Sequence, residues 1–197
     1  MLVFLDTEFT DLVVQPRLLS VGLVADWGAG GEFYAEVTDP DRIGATNRFG
    51  LSAVIPQFGK VARAACSYAE LGSRLSAFLT DLAAEVPADG FVELAFGYDL
   101  DWTLVDLAAG DSEAEPWEWT RRRIRPVNVY ELTGYGDGRL AAEAYFRAQA
   151  LAPFARHHAL CDARALRLAY GAATREAAGS GRTAAPMGEP AHRTAAA

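Results

Sequence analysis

The run MLVFLDTEFT at the start of the sequence reads as a buried strand that carries two acids. Val3, Phe4, Leu5 and Phe9 are apolar, yet Asp6 and Glu8 sit one residue apart in the same run. Side chains alternate along a strand, so Asp6 and Glu8 share a face with Phe4, their Cα atoms roughly 6.5–7 Å apart. Val3, Leu5, Thr7 and Phe9 take the other face. Two like charges side by side repel and are costly to bury without something positive between them. This strand face therefore lies open to water or holds a cation. A hard divalent ion suits carboxylate oxygens, and Mg²⁺ commonly takes one or two of them.

The strand fits a larger pattern. LLSVGLVA (18–25) and EFYAEV (32–37) read as two more strands, joined at Gly28, Gly30 and Gly31 and forming an antiparallel meander with the first. Residues 39–60 show no clear period. Ser67 and Glu70 have capping-box spacing, and Leu71, Leu75, Phe78, Leu79 and Leu82 follow as one helical stripe that stops before Pro87 and Gly90. FVELAF (91–96) reads as a buried strand reached by a crossover, and 102–109 as a helix. Residues 127–132 read as a short strand or extended segment, Gly134, Gly136 and Gly138 as a loop, and 140–150 and 159–170 as helices. From Gly171 the chain has almost no large apolar residue, which predicts a disordered tail over 171–197 behind a single domain over 1–170. The expected fold class is α/β, a mixed sheet of an antiparallel meander plus parallel strands, flanked by helices.

Composition narrows the function classes. A chain of 197 residues with 51% hydrophobic and 22% charged residues is globular in make-up. The net charge of −8 disfavours polyanion binding by bulk charge, but not a site whose local field is set by bound cations. Two cysteines, Cys66 and Cys161, are too few for a disulfide framework and point to a reducing, cytoplasmic setting. The apolar start is too short for a signal-peptide core, and no run approaches the ~20 residues of a membrane span.

Further chemistry-bearing residues lie far from the first strand. RHHALCDARAL places His157 in a loop and Asp162 five residues on, in the first turn of the last helix. The plain alternative for His157 and His158 is a pair of surface histidines. GYDLDWTLVDL holds Asp99, Asp101 and Asp106. Asp101 stands between a buried strand and a helix, a common ligand position on an open α/β sheet, but either Asp99 or Asp101 would also serve as a helix N-cap. WEWTRRRIR holds Trp117, Trp119, Arg121, Arg122, Arg123 and Arg125. Such residues contact phosphates and bases, line subunit interfaces such as a homodimer's, or form a solvated face balancing Asp111, Glu113, Glu115 and Glu118.

Taken together, FLDTEFT, GYDLDWTLV and HHALCDARA resemble the three motifs of the DnaQ-like 3'-5' exonucleases of the DEDDh type, which have the ribonuclease H-like fold; the closest likeness is to small bacterial exoribonucleases. The likeness runs from about Met1 to Tyr170. The His-x4-Asp spacing of the histidine subtype selects His157 over His158, and the second motif selects Asp101 over Asp99. The resemblance implies that Asp6, Glu8, Asp101 and Asp162 hold two divalent ions, Mg²⁺ or Mn²⁺, and that His157 takes the proton of the attacking water. Thr7, through its backbone, and Phe9, toward the base, would line the 3'-terminal nucleotide, core packing being the other use for Phe9. The implied partner is single-stranded or 3'-overhang nucleic acid, RNA favoured, cut to nucleoside 5'-monophosphates. A DNA exonuclease of proofreading or repair type and a non-catalytic nucleic-acid-binding module are the alternatives.

Overall fold

A computed structural model of the protein describes residues 1–12, 15–26, 31–111, 117–131, 135–149 and 155–179. The first three strands are β1 (Leu2–Phe9), β2 (Leu18–Ala25) and β3 (Glu32–Val37). Two short helices follow, α1 (Pro40–Gly44) and α2 (Arg48–Ala53), then a two-residue strand β4 (Ala65–Cys66). Next come α3 (Tyr68–Glu85), β5 (Val92–Phe96), α4 (Asp99–Gly110), α5 (Trp117–Arg122), β6 (Ile124–Asn128), α6 (Tyr135–Gln149) and α7 (Ala159–Gly179).

The six strands form one mixed sheet in the order β4-β3-β2-β1-β5-β6. The expected meander is present: β1–β2 and β2–β3 are antiparallel. β1–β5, β5–β6 and β3–β4 are parallel. Register places Asp6 beside Gly22 and Gly22 beside Tyr34, while Glu8, Ser20 and Glu36 form the neighbouring row.

Helices cover both faces. α3 starts at the Ser67 cap, where Glu70 Oε2 accepts the Ser67 amide at 2.7 Å. Its stripe of Leu71, Leu75, Leu79 and Leu82 is buried against Val3, Leu5, Val21 and Leu23, with Leu104 and Val105 of α4 completing the larger core. On the other face α7 packs Ala159, Leu160 and Ala163 against Phe4, Val24 and Tyr34.

Several expected boundaries move. α4 begins at Asp99, so Asp101 lies within its first turn rather than ahead of it. The short strand or extended segment expected at 127–132 is a strand, β6, shifted to 124–128 and followed by a 3-10 turn at Val129–Glu131. Pro126 is tolerated because β6 is an edge strand. Of the expected glycine loop, Gly136 and Gly138 lie inside α6, and Gly134 is outside the described residues. A Cβ on Gly138 would stand 2.5 Å from the Ala169 carbonyl oxygen, so this glycine lets α6 cross close over α7. Gly31, at φ 56°, occupies part of the expected β2–β3 turn; Gly28 and Gly30 are outside the described residues.

The last helix also runs past Tyr170 to Gly179. Four alanines with Arg175 and Glu176, all strong helix formers, outweigh Gly171 and Thr174 in this extension, and Ala173 is buried. The rest of the expected tail, 180–197, lies outside the described residues.

Candidate active site

The carboxylates of β1 lie at its C-terminal end, on the face that α7 covers. The helix comes close because β2 offers no side chain there: a Cβ on Gly22 would be 2.4 Å from the Ala159 carbonyl carbon and the Leu160 amide nitrogen. Gly22 is the cross-strand partner of Asp6. The first turn of α7, and Asp162 with it, is thereby held over the two acids of β1.

Asp162 is tied to the loop before it. Its Oδ2 accepts the His157 amide at 2.7 Å, while its Oδ1 is buried and accepts no hydrogen bond. His157 sits at φ 68°, in the left-handed region that a non-glycine residue enters at a cost. That conformation lets one residue give its amide to Asp162 and still turn its ring toward β1. His157 Nδ1 is 4.0 Å from Glu8 Oε1, and the ring of Phe49 abuts the imidazole edge-on at 4.8 Å. Glu8, His157 and Asp162 offer ligand atoms that all lie within 4.8 Å of one another.

Asp101 arrives from the opposite layer. It is buried, its Oδ1 accepts the Thr7 hydroxyl at 2.7 Å, and its Oδ2 accepts the Tyr98 amide at 3.1 Å. Thr7, on the β1 face that α3 and α4 cover, thus links the strand to the fourth acid. Asp6, Thr7, Glu8, Phe9, Asp101, His157 and Asp162 all line one cavity of about 630 Å³.

Electrostatics show what this convergence costs. Burial, then Asp162, Asp101 and Glu8 in turn, holds the Asp6 carboxyl well above the usual range. Burial, then the charges of Asp162 and Asp101, pushes Glu8 up to about 9. Asp162 is pushed up to about 7, again chiefly by burial, against the His157 amide that favours its charged form. Burial raises Asp101 only to about 6, because the Thr7 hydroxyl and the Tyr98 amide stabilise the carboxylate. Burial, then the Arg156 charge, lowers the His157 pKa, so this imidazole is a proton acceptor near neutral pH.

The donor set fits hard divalent cations. Four carboxylates share one cavity, one of them with a buried oxygen that has no donor, and a bound cation would relieve both the mutual repulsion and the unmet acceptor.

The neighbours of these residues have other uses. Asp99 is exposed and its Oδ1 accepts from Asn128 Nδ2 at 2.9 Å. His158 is no surface residue: it is buried, stacked on Tyr34 at 4.3 Å, with its pKa lowered to about 4, chiefly by burial. The Trp/Arg segment packs elsewhere, and none of residues 117–125 lines the cavity. Trp117 is buried, Arg121 Nε donates to Asp106 Oδ1 at 2.8 Å, and Arg123 donates to the carbonyls of Val86 and Pro87.

Phe49, Tyr98, Tyr130, Arg139 and Arg156 also line the cavity and were not singled out in the sequence. They carry no shared spacing that would mark them. Gly22 was legible in principle, since a glycine inside an apolar strand signals close backbone approach. A scan of protein families finds no model that matches the chain, and a search of curated proteins finds no match.

Proposed function

We propose that this protein is a metal-dependent 3'-5' exonuclease of the DEDDh type on a ribonuclease H-like fold, acting on single-stranded or 3'-overhanging RNA. The observation that carries the reading is the convergence of Asp6, Glu8, Asp101, Asp162 and His157, from β1, α4 and the start of α7, on a single cavity. The six-stranded sheet, an antiparallel meander extended by parallel strands, is compatible with that fold.

Asp6, Glu8, Asp101 and Asp162 would hold two divalent ions, Mg²⁺ or Mn²⁺. When bound, such ions neutralise the phosphate, acidify the attacking water and stabilise the leaving oxygen. His157 is the residue that takes a proton: neutral, half-exposed to the cavity and pinned by its own amide to Asp162, it accepts the proton of the attacking water. Cleavage of the terminal phosphodiester then releases a nucleoside 5'-monophosphate. Thr7 keeps Asp101 ionised through its hydroxyl, leaving its backbone to face the 3'-terminal sugar. Phe9 packs on the larger core and also lines the cavity, so its ring serves packing and the terminal base together.

A reducing, cytoplasmic setting belongs to the same reading, since Cys66 and Cys161 are free and buried. No described helix is long and apolar enough to cross a membrane.

The test is hydrolysis of 5'-labelled RNA and DNA oligomers of one sequence, with Mg²⁺ or Mn²⁺, by the wild type and Asp6→Ala. The expected result is a ladder growing from the 3' end, faster on RNA, abolished by chelation and in the variant. Faster cutting of DNA would transfer the reading to a DNA exonuclease. No cutting of either polymer, or equal cutting by the variant, would overturn it.

A further inference from the structure

Two tyrosines on the cavity wall take no part in the hydrolytic chemistry. Tyr98, immediately before α4, is 64% exposed, and Tyr130, just after β6, is 45% exposed. Their rings meet edge-to-face, centroids 5.5 Å apart at 75°, and both line the cavity that holds Asp6 and Asp101.

The pair is braced from behind. The Tyr98 amide donates to Asp101 Oδ2, which fixes this residue to one of the four acids. The Tyr130 amide donates to Asn128 Oδ1 at 3.0 Å, and Asn128 Nδ2 donates to Asp99 Oδ1 at 2.9 Å, which binds the turn after β6 to the start of α4. Gly97 supplies the floor: a Cβ there would lie 3.1 Å from Tyr130 Cε2, so the ring rests against bare backbone. Three separate devices hold two largely open aromatic rings beside buried carboxylates. Open aromatic area of this kind returns little to folding stability, whereas every nucleobase offers a π-face to stack on it.

We propose that Tyr98 and Tyr130 form a stacking platform for an unpaired nucleobase of the strand being degraded. The platform makes the site selective for single-stranded ends and indifferent to which base arrives. This rests on the nuclease reading for its substrate, but its test does not need hydrolysis.

The experiment is calorimetric titration of the full chain, in Mg²⁺, with adenosine 5'-monophosphate and with ribose 5-phosphate, which lacks only the base. The wild type is expected to bind the nucleotide on the order of ten-fold more tightly than the sugar phosphate. Tyr98→Ala and Tyr130→Ala should each shrink that ratio toward one, and Tyr98→Phe and Tyr130→Phe should keep it, because a ring without its hydroxyl still stacks. Equal affinity for the two ligands in the wild type overturns the proposal, as does an unchanged ratio in both alanine variants. A wild type that shows the ratio yet cuts no RNA or DNA would instead remove the nuclease reading and leave a base-binding site.

Discussion

On the face of the sheet under α3 and α4, leucines fill the space: Leu71, Leu75, Leu79 and Leu82 meet Val3, Leu5 and Leu23. On the face under α7, Phe4, Val24 and Tyr34 also pack, but the closest approach is made by Ala159 over the bare backbone of Gly22, with Glu8, Ser20 and Glu36 in a polar row beside them. Bulky side chains hold a helix off the sheet and give most of the apolar burial. Small ones let the helix axis drop, so that an aspartate, with one methylene of reach, can meet the acids of β1. The leucine face stabilises the fold, and the alanine and glycine face brings the acids together at a cost in stability.

Breaking the close approach should have the largest effect. Gly22→Val drives a branched side chain into the Ala159 and Leu160 backbone. Hydrolysis should fall to background, with a stability loss of about 3 kcal/mol, the upper end for overpacking, read by activity and denaturant melts on one preparation. An active Gly22→Val protein would show that α7 does not need this contact. Leu75→Ala tests the other face. A cavity at this fully buried position should cost about 2–5 kcal/mol in urea unfolding while the folded fraction keeps its kcat. A large drop in kcat would mean that the two faces are not separable in this way.

The acids give a subtler contrast. Glu8 is raised to about 9, Asp162 to about 7 and Asp101 to about 6, against ordinary values of about 4 in an unfolded chain. Between those limits the folded state holds more protons than the unfolded one, so stability falls as pH rises. The metal-free protein should therefore melt several degrees lower near about pH 9 than near about pH 5, and Mg²⁺ should recover much of the difference at the higher pH. A Tm that rises over this range would refute the buried repulsion. The smallest effect is expected on the leucine side, at Arg121→Ala. This half-exposed ion pair with Asp106 should contribute no more than about 1 kcal/mol, with hydrolysis unchanged.

What could be read from the sequence divides along the same line. Local signals were enough for α3, whose cap and stripe are both written within Ser67–Leu82, and for the period-2 placement of Asp6 and Glu8 on one face. The spacing of His157 and Asp162 across a helix start was equally local, and the two are joined by one hydrogen bond. Long-range contacts were not legible. Gly138 looks like a loop former and lies within a helix because α7 passes beside it. Residue type alone leaves Asp99 and Asp101 open, since either could cap α4; burial and the Thr7 hydroxyl, 94 residues away, set Asp101 apart. His158 resembles its neighbour until Tyr34 covers it. Short elements such as α1, α2 and β4 have too few residues to show a period.

The crossing of α6 over α7 at Gly138 and Ala169 adjusts the size of the cavity. Arg139, Ala142, Glu143 and Phe146 project from α6 to form one wall, while Asp162 and the sheet form the floor. Because α6 rests chiefly on α7, its height above the floor follows the bulk of the residues at that crossing. Replacing one small residue there would change how wide a ligand the cavity admits while every acid keeps its place, so the girth of the opening and the acid cluster can vary independently in this scaffold.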